Sequence, residues 1–135
     1  MEELKIGAEI KNLDQVQDFV RGILETADCP AKTQFQVEVS VEEIFVNIAS
    51  YAYPEGTGEA VIQAGIQGDP PELVIVFSDQ GIPFDPTARE DPDITLSVEE
   101  RGIGGLGIYM VKQSMNEMRY ERRDGRNVLT VRKKL

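Results

Sequence analysis

The chain has 135 residues, of which 24 are acidic and 14 basic, for a formal charge of −10. Such a length builds one domain around one core, so a catalytic domain joined to a separate receptor module is not expected. The acidic balance opposes general DNA or RNA binding, which needs a basic surface to neutralise phosphates. The charge is uneven, since from Arg119 onward seven basic residues face two acidic ones. That basic end suits either contact with an acidic partner or the solubilising charges of an edge strand.

Histidine is absent, which removes Ser-His-Asp and Cys-His catalysis and any phosphorylation of histidine within the chain. Cys29 is the only cysteine, so no internal disulfide can form and a zinc site lacks its usual ligands. The opening Met-Glu-Glu-Leu-Lys-Ile has neither the basic start nor the apolar run of a signal peptide. No apolar stretch approaches the roughly 18 residues of a membrane span. The expectation is a soluble cytoplasmic protein with no membrane contact.

Leu4, Ile6, Ala8 and Ile10 alternate with polar or small residues, the period of a half-buried strand. Asn12 then offers a helix cap. Leu13, Val16, Phe19, Val20, Ile23 and Leu24 recur at helical spacing and predict a first helix to about Ala27, before Pro30 interrupts. A second helix is predicted over 32–52 on the stripe Phe35, Val37, Val41, Ile44, Phe45, Ile48 and Ala49, ended by Pro54 and Gly56. Strands over 60–67 and 73–78 follow, joined as an antiparallel hairpin by Gly68-Asp69-Pro70-Pro71, with Val74, Val76 and Ser78 sharing a face. Residues 82–101 hold three prolines and many acids without a sustained period, which predicts a long, mobile, functional loop. Leu106, Tyr109, Met110, Val111 and Met115 predict a third helix, and 118–123 with 128–133 a terminal hairpin around Asp124-Gly125-Arg126-Asn127. This order predicts one α+β domain over 1–135, a two-layer sandwich with helices on one face of a mostly antiparallel, mixed sheet.

Three separated segments carry the chemistry. Glu43 and Asn47 stand four apart on the second helix, so a carboxylate and an amide lie one turn from each other and can face one metal-triphosphate. Alone, such a pair is equally at home on a solvated helix face. Asp79-Gln80-Gly81 follows an apolar strand and leads into Ile82-Pro83-Phe84-Asp85-Pro86, where a plain turn is the simpler alternative. Gly102-Ile103-Gly104-Gly105-Leu106-Gly107 then opens the third helix, which offers free backbone N–H groups to phosphate oxygens. It is neither a dinucleotide fingerprint, whose glycine spacing differs, nor a Walker loop, which needs Gly-Lys-Ser/Thr.

In this order the segments resemble the Bergerat-fold ATP-binding superfamily of gyrases and histidine kinases. Within it they are most similar to the single-domain serine/threonine kinases that act as bacterial anti-sigma factors. The likeness runs over 41–53, 76–86 and 101–111 and implies the same two-layer sandwich. It implies that Asn47 ligates Mg²⁺, that Glu43 is the general base, and that Asp79 accepts the exocyclic amino group of adenine. It further implies that Gly81 lets backbone approach the ring and that Gly102, Gly104, Gly105, Leu106 and Gly107 hold the phosphates of ATP. Arg101, the nearest fixed cation, is the candidate for the γ-phosphate, and the segment at about 86–104 becomes an ATP lid. Its acids, Glu90, Asp91, Asp93, Glu99 and Glu100, would repel a bare triphosphate, so Mg²⁺ has to compensate. Asp85 is assigned to loop capping, and Tyr51 and Tyr53 to core packing with stacking on the nucleotide as the alternative. The implied partners are a sigma factor and a small antagonist protein phosphorylated on Ser or Thr, with a homodimer as one possible assembly. The competing reading is a nucleotide-dependent protein-binding module that transfers no phosphate.

Overall fold

The computed structural model describes residues 1–88 and 105–135. Five strands form one sheet in the order β1-β2-β3-β5-β4: β1 (Glu2–Gly7), β2 (Glu59–Gln67), β3 (Glu72–Asp79), β4 (Glu117–Arg123) and β5 (Arg126–Lys134). Every pairing among the described residues is antiparallel, in keeping with the mostly antiparallel sheet expected, and no parallel pair of a mixed sheet occurs among them. Three helices, α1 (Leu13–Leu24), α2 (Ala31–Tyr51) and α3 (Gly105–Ser114), complete the α+β arrangement. None of the helices among the described residues is long and apolar enough to cross a membrane.

Alternation selects the buried face. Leu73, Ile75 and Phe77 of β3 are buried in the core, together with Ala60, Ile62 and Ala64 of β2 and Leu129 and Val131 of β5. In register, Phe77 stands beside Ile62 and Leu129, so one apolar row crosses three strands. Val74, Val76 and Ser78 share the opposite face. Val16, Val20, Ile23 and Leu24 of α1 and Val37, Val41, Ile44 and Phe45 of α2 close the core from above.

The strand expected through Ile10 stops at Gly7. Ala8 N–H still donates to the Gly58 carbonyl at 2.8 Å, but β2 begins at Glu59 and offers no further ladder. The chain therefore turns through a short 3₁₀ segment, Ile10–Asn12, leaving Ile10 exposed. Asn12 precedes α1 as expected, yet its side chain makes no cap hydrogen bond and instead donates to the Gly7 carbonyl at 2.9 Å. Phe35, counted in the α2 stripe, is 66% exposed, because the buried row runs through Val37, Ser40, Val41, Ile44 and Phe45. Ile108 and Val111 of α3 are buried, as is Met115 just past its end, while Met110 faces out.

The β4–β5 hairpin turns on Asp124 and Gly125, at φ 53° and 76°. Left-handed conformations at both central residues belong to the tight turn whose twist matches antiparallel strands. This turn places Asn127 opposite Asp79, at the point where β3 ends.

Candidate functional site

A cleft opens between α2, α3 and the end of β3. Ile44, Asn47, Ile48 and Tyr51 line it from α2 and Ala52 from just past its end, Phe77 and Asp79 from β3, and Ile108 from α3. The α2 positions recur at helical spacing, so one stripe of that helix forms a continuous wall. The lining is largely apolar, with the polar atoms of Asn47, Asp79, Tyr120 and Asn127 set into it.

Asp79 is 4% exposed and is held by donors on one side only. Its Oδ1 accepts the Gly81 N–H at 2.9 Å and the Asn127 side-chain N–H at 2.9 Å. Oδ2 accepts none of the hydrogen bonds from the described residues and stays accessible. A buried carboxylate with one open oxygen is an acceptor for a ligand donor, because leaving that oxygen unpaired and dry is costly.

Asn47 lies in the same cleft, and its amide makes none of the described hydrogen bonds. Glu43, one turn earlier, lies outside the apolar lining and against α3. A Cβ on Gly107 would overlap the Glu43 carboxylate, so the bare glycine backbone lets that carboxylate rest on the first turn of α3. Glu43 and the opening of α3 are thereby brought together from opposite halves of the chain. Gly105 begins α3, as the glycine run leads one to expect. Among the expected phosphate residues, Arg101, Gly102 and Gly104 lie outside the described residues, as does nearly all of the expected lid.

Gly81 has a steric reason of its own. A Cβ there would overlap the carbonyl oxygen of Ala52, which also accepts the Ile82 N–H at 2.9 Å. The glycine lets the chain pass over the end of α2, and the close approach is to protein. Asp85 caps its loop as expected, its Oδ1 accepting the Thr87 N–H at 2.8 Å and the Thr87 hydroxyl at 2.6 Å.

The two tyrosines separate. Tyr51 lines the cleft with its ring 6.4 Å from that of Phe84, tilted by 33°. Tyr53 turns away from the cleft and ties strands together, its hydroxyl donating to the Glu59 carbonyl at 2.7 Å and accepting the Gln80 N–H at 2.8 Å. Burial pushes the Tyr53 hydroxyl above its ordinary pKa, and the Gln80 N–H opposes that rise.

Three residues of the terminal hairpin belong to the site and were not singled out from sequence. Asn127 bonds Asp79, the Tyr120 hydroxyl donates to Asn127 Oδ1, and Arg122 donates to the Gly81 carbonyl at 2.8 Å. A signal for Asn127 existed. Asn127, Leu129 and Val131 alternate on the buried face, and a polar residue at an inward position needs a polar partner.

Residues 6–133 match the family of histidine kinase-like ATPase domains. The chain belongs to this family. Membership implies ATP binding. Similar proteins include the serine/threonine-protein kinase BtrW of Bordetella bronchiseptica, 30% identical over 101 residues covering 75% of this chain and 70% of that protein. The serine-protein kinase RsbW of Bacillus cereus strain G9842 is 26% identical over 131 residues, covering 94% of this chain and 81% of the relative. The RsbW protein of Bacillus mycoides strain KBAB4 is 25% identical over the same length, 131 residues. Among the described residues of this family member no three His, Cys, Asp or Glu side chains converge as a metal site.

Proposed function

We propose that the chain is a cytoplasmic serine/threonine protein kinase of the anti-sigma type, which binds a sigma factor and uses ATP with Mg²⁺ to phosphorylate a small antagonist protein. The observation that carries the nucleotide part is the single open oxygen of Asp79 at the base of an apolar cleft. The adenine 6-amino group donates to that oxygen, whereas the 6-oxo group of guanine would set two acceptors against each other. Asn47 offers a hard amide oxygen, a fitting ligand for Mg²⁺, which keeps several waters and takes its remaining ligands from phosphates. The bound ion would neutralise charge on the triphosphate. The N–H groups that open a helix suit anions, which supports the start of α3 as part of the proposed phosphate cradle together with Arg101, Gly102 and Gly104.

Glu43 is the proposed general base, accepting the proton of the attacking Ser or Thr hydroxyl. Its position on α2 one turn before Asn47, with its carboxylate on the first turn of α3, supports this role. The partner proteins rest on the likeness to kinases of the anti-sigma type.

The test is Glu43→Gln, nearly isosteric and a good helix former. Binding of ATP and of the acceptor protein should persist while phosphoryl transfer, followed with labelled ATP, falls by about 10²- to 10⁴-fold. Capture of proteins from the source cell with and without ATP supplies the acceptor. Wild-type protein that binds both ATP and that acceptor and transfers nothing would leave a nucleotide-switched binding module instead.

A further inference from the structure

The open oxygen of Asp79 is set by a residue 48 positions away in sequence. Asn127 is 7% exposed and has its full hydrogen-bonding capacity in use. Its amide nitrogen donates to Asp79 Oδ1 at 2.9 Å and to the Ile82 carbonyl at 2.8 Å. Its oxygen accepts the Phe84 N–H at 3.2 Å and the Tyr120 hydroxyl proton. Two donors and two acceptor positions are all an asparagine amide has.

This set of partners permits one orientation. Rotating the amide by half a turn would put its oxygen against the Asp79 carboxylate and the Ile82 carbonyl, and its N–H groups against the Phe84 N–H. Three attractive contacts would become repulsive ones. The Tyr120 hydroxyl reinforces the choice by donating to the oxygen side. Asp79 Oδ1 is consequently occupied by the Asn127 and Gly81 N–H groups, and Oδ2 is the oxygen left to read a ligand. The same amide fixes Ile82 to Phe84, and the Phe84 ring lines the cleft beside Tyr51.

We infer that Asn127 is the positioning residue for discrimination at the purine 6-position, and that Tyr120 locks it in the orientation required. The inference deepens the proposed ATP site and rests on Asp79 reading the base. Without the Asn127 donor, only the Gly81 N–H holds Oδ1, and the Asp79 carboxyl gains freedom to turn out of the orientation in which Oδ2 faces the cleft. A ring carrying an acceptor at the 6-position then meets a less rigid rejection.

Binding of ATP and of inosine triphosphate, measured by calorimetry with Mg²⁺ on the full chain, separates base reading from general binding. The two nucleotides share their triphosphate and ribose and differ at the 6-position and the adjoining ring nitrogen. Wild-type protein should prefer ATP. Asn127→Ala should lower the ATP-to-inosine-triphosphate preference by about ten- to a hundred-fold, the range of one hydrogen bond to a charged group. Tyr120→Phe keeps the ring and should lower it by a smaller factor. If Asn127→Ala fails to fold, Tyr120→Phe carries the test. Equal weakening of both nucleotides, or an unchanged preference in the folded variants, overturns the role of Asn127 and leaves Asp79 untouched. Asp79→Asn is the control for the reading beneath it, since an unchanged preference there overturns base reading by Asp79 and the positioning role together.

Discussion

Two glycines of the site show how one substitution takes opposite meanings at different residues. At Gly81 a methyl group would strike the carbonyl of Ala52, a backbone atom already committed to the Ile82 N–H. Neither side can move cheaply, so Gly81→Ala should destabilise the fold by about 1 to 3 kcal/mol, the range of an overpacked contact, as read by urea unfolding. At Gly107 the methyl group would strike the Glu43 carboxylate, the far end of a flexible side chain. There alanine is the better helix former by about 1 kcal/mol, so Gly107→Ala should leave stability intact or raised. Its effect should fall on the reaction, with transfer reduced by about 10²-fold if Glu43 moves by an ångström. A variant with full transfer would show that Glu43 does not act from its present position. The Glu43–Asn47 pair was legible in the sequence because helical spacing is local. The reason for Gly81 was not legible, since the end of α2 meets that glycine only when the chain has folded back.

Tyr53 ties three elements at the rim of the site: the end of α2, β2 through Glu59, and the segment after β3 through Gln80. Its ring covers Gly58, where a Cβ would overlap it. Tyr53→Phe removes both hydroxyl bonds and should lower stability by about 1 to 2 kcal/mol near neutral pH. The pH dependence follows from its raised pKa. Below the ordinary tyrosine value the folded and unfolded states bind this proton alike, and the stabilising difference is complete. Above it the unfolded chain ionises first, so wild-type stability falls as pH rises from about 10 through the folded value. The gap between wild type and Tyr53→Phe in urea should therefore narrow above pH 10, the other tyrosines being common to both proteins. A gap that stays constant to high pH would mean that the hydroxyl is not held as its geometry indicates. Such cross-element ties escape sequence patterns. Alternation and helical spacing disclosed β2, β3, α1 and α2, yet said nothing of where Ile10 leaves the sheet or that Phe35 falls off the buried row of α2. Both depend on where a neighbouring strand ends or a neighbouring helix packs, which no local period contains.

At the scale of the whole molecule the deciding quantity is charge. The chain carries −10 overall, and a nucleotide triphosphate adds to it. The basic terminal hairpin offers less relief than its count suggests, because several of its arginines are paired with carboxylates. Arg132 meets Glu72 and Glu117, each at 3.1 Å, and Arg123 meets Glu121 at 3.9 Å. These pairs are partly exposed and contribute little to stability, but they remove positive charge from the field a ligand meets. ATP should accordingly bind well only with Mg²⁺. A ligand at a hundred times its dissociation constant stabilises a fold by about 2.7 kcal/mol, which raises the melting temperature measurably. That rise should appear with ATP and Mg²⁺ together and be small with ATP and a chelator. Added salt should narrow the difference by screening the repulsion. Asn47→Ala should lose the Mg²⁺-dependent part and keep the melting temperature of the free protein, since the Asn47 amide makes none of the described hydrogen bonds. Equal affinity for ATP with and without Mg²⁺ in the wild type would remove the metal role of Asn47, leaving the base-binding end of the cleft to account for all the recognition.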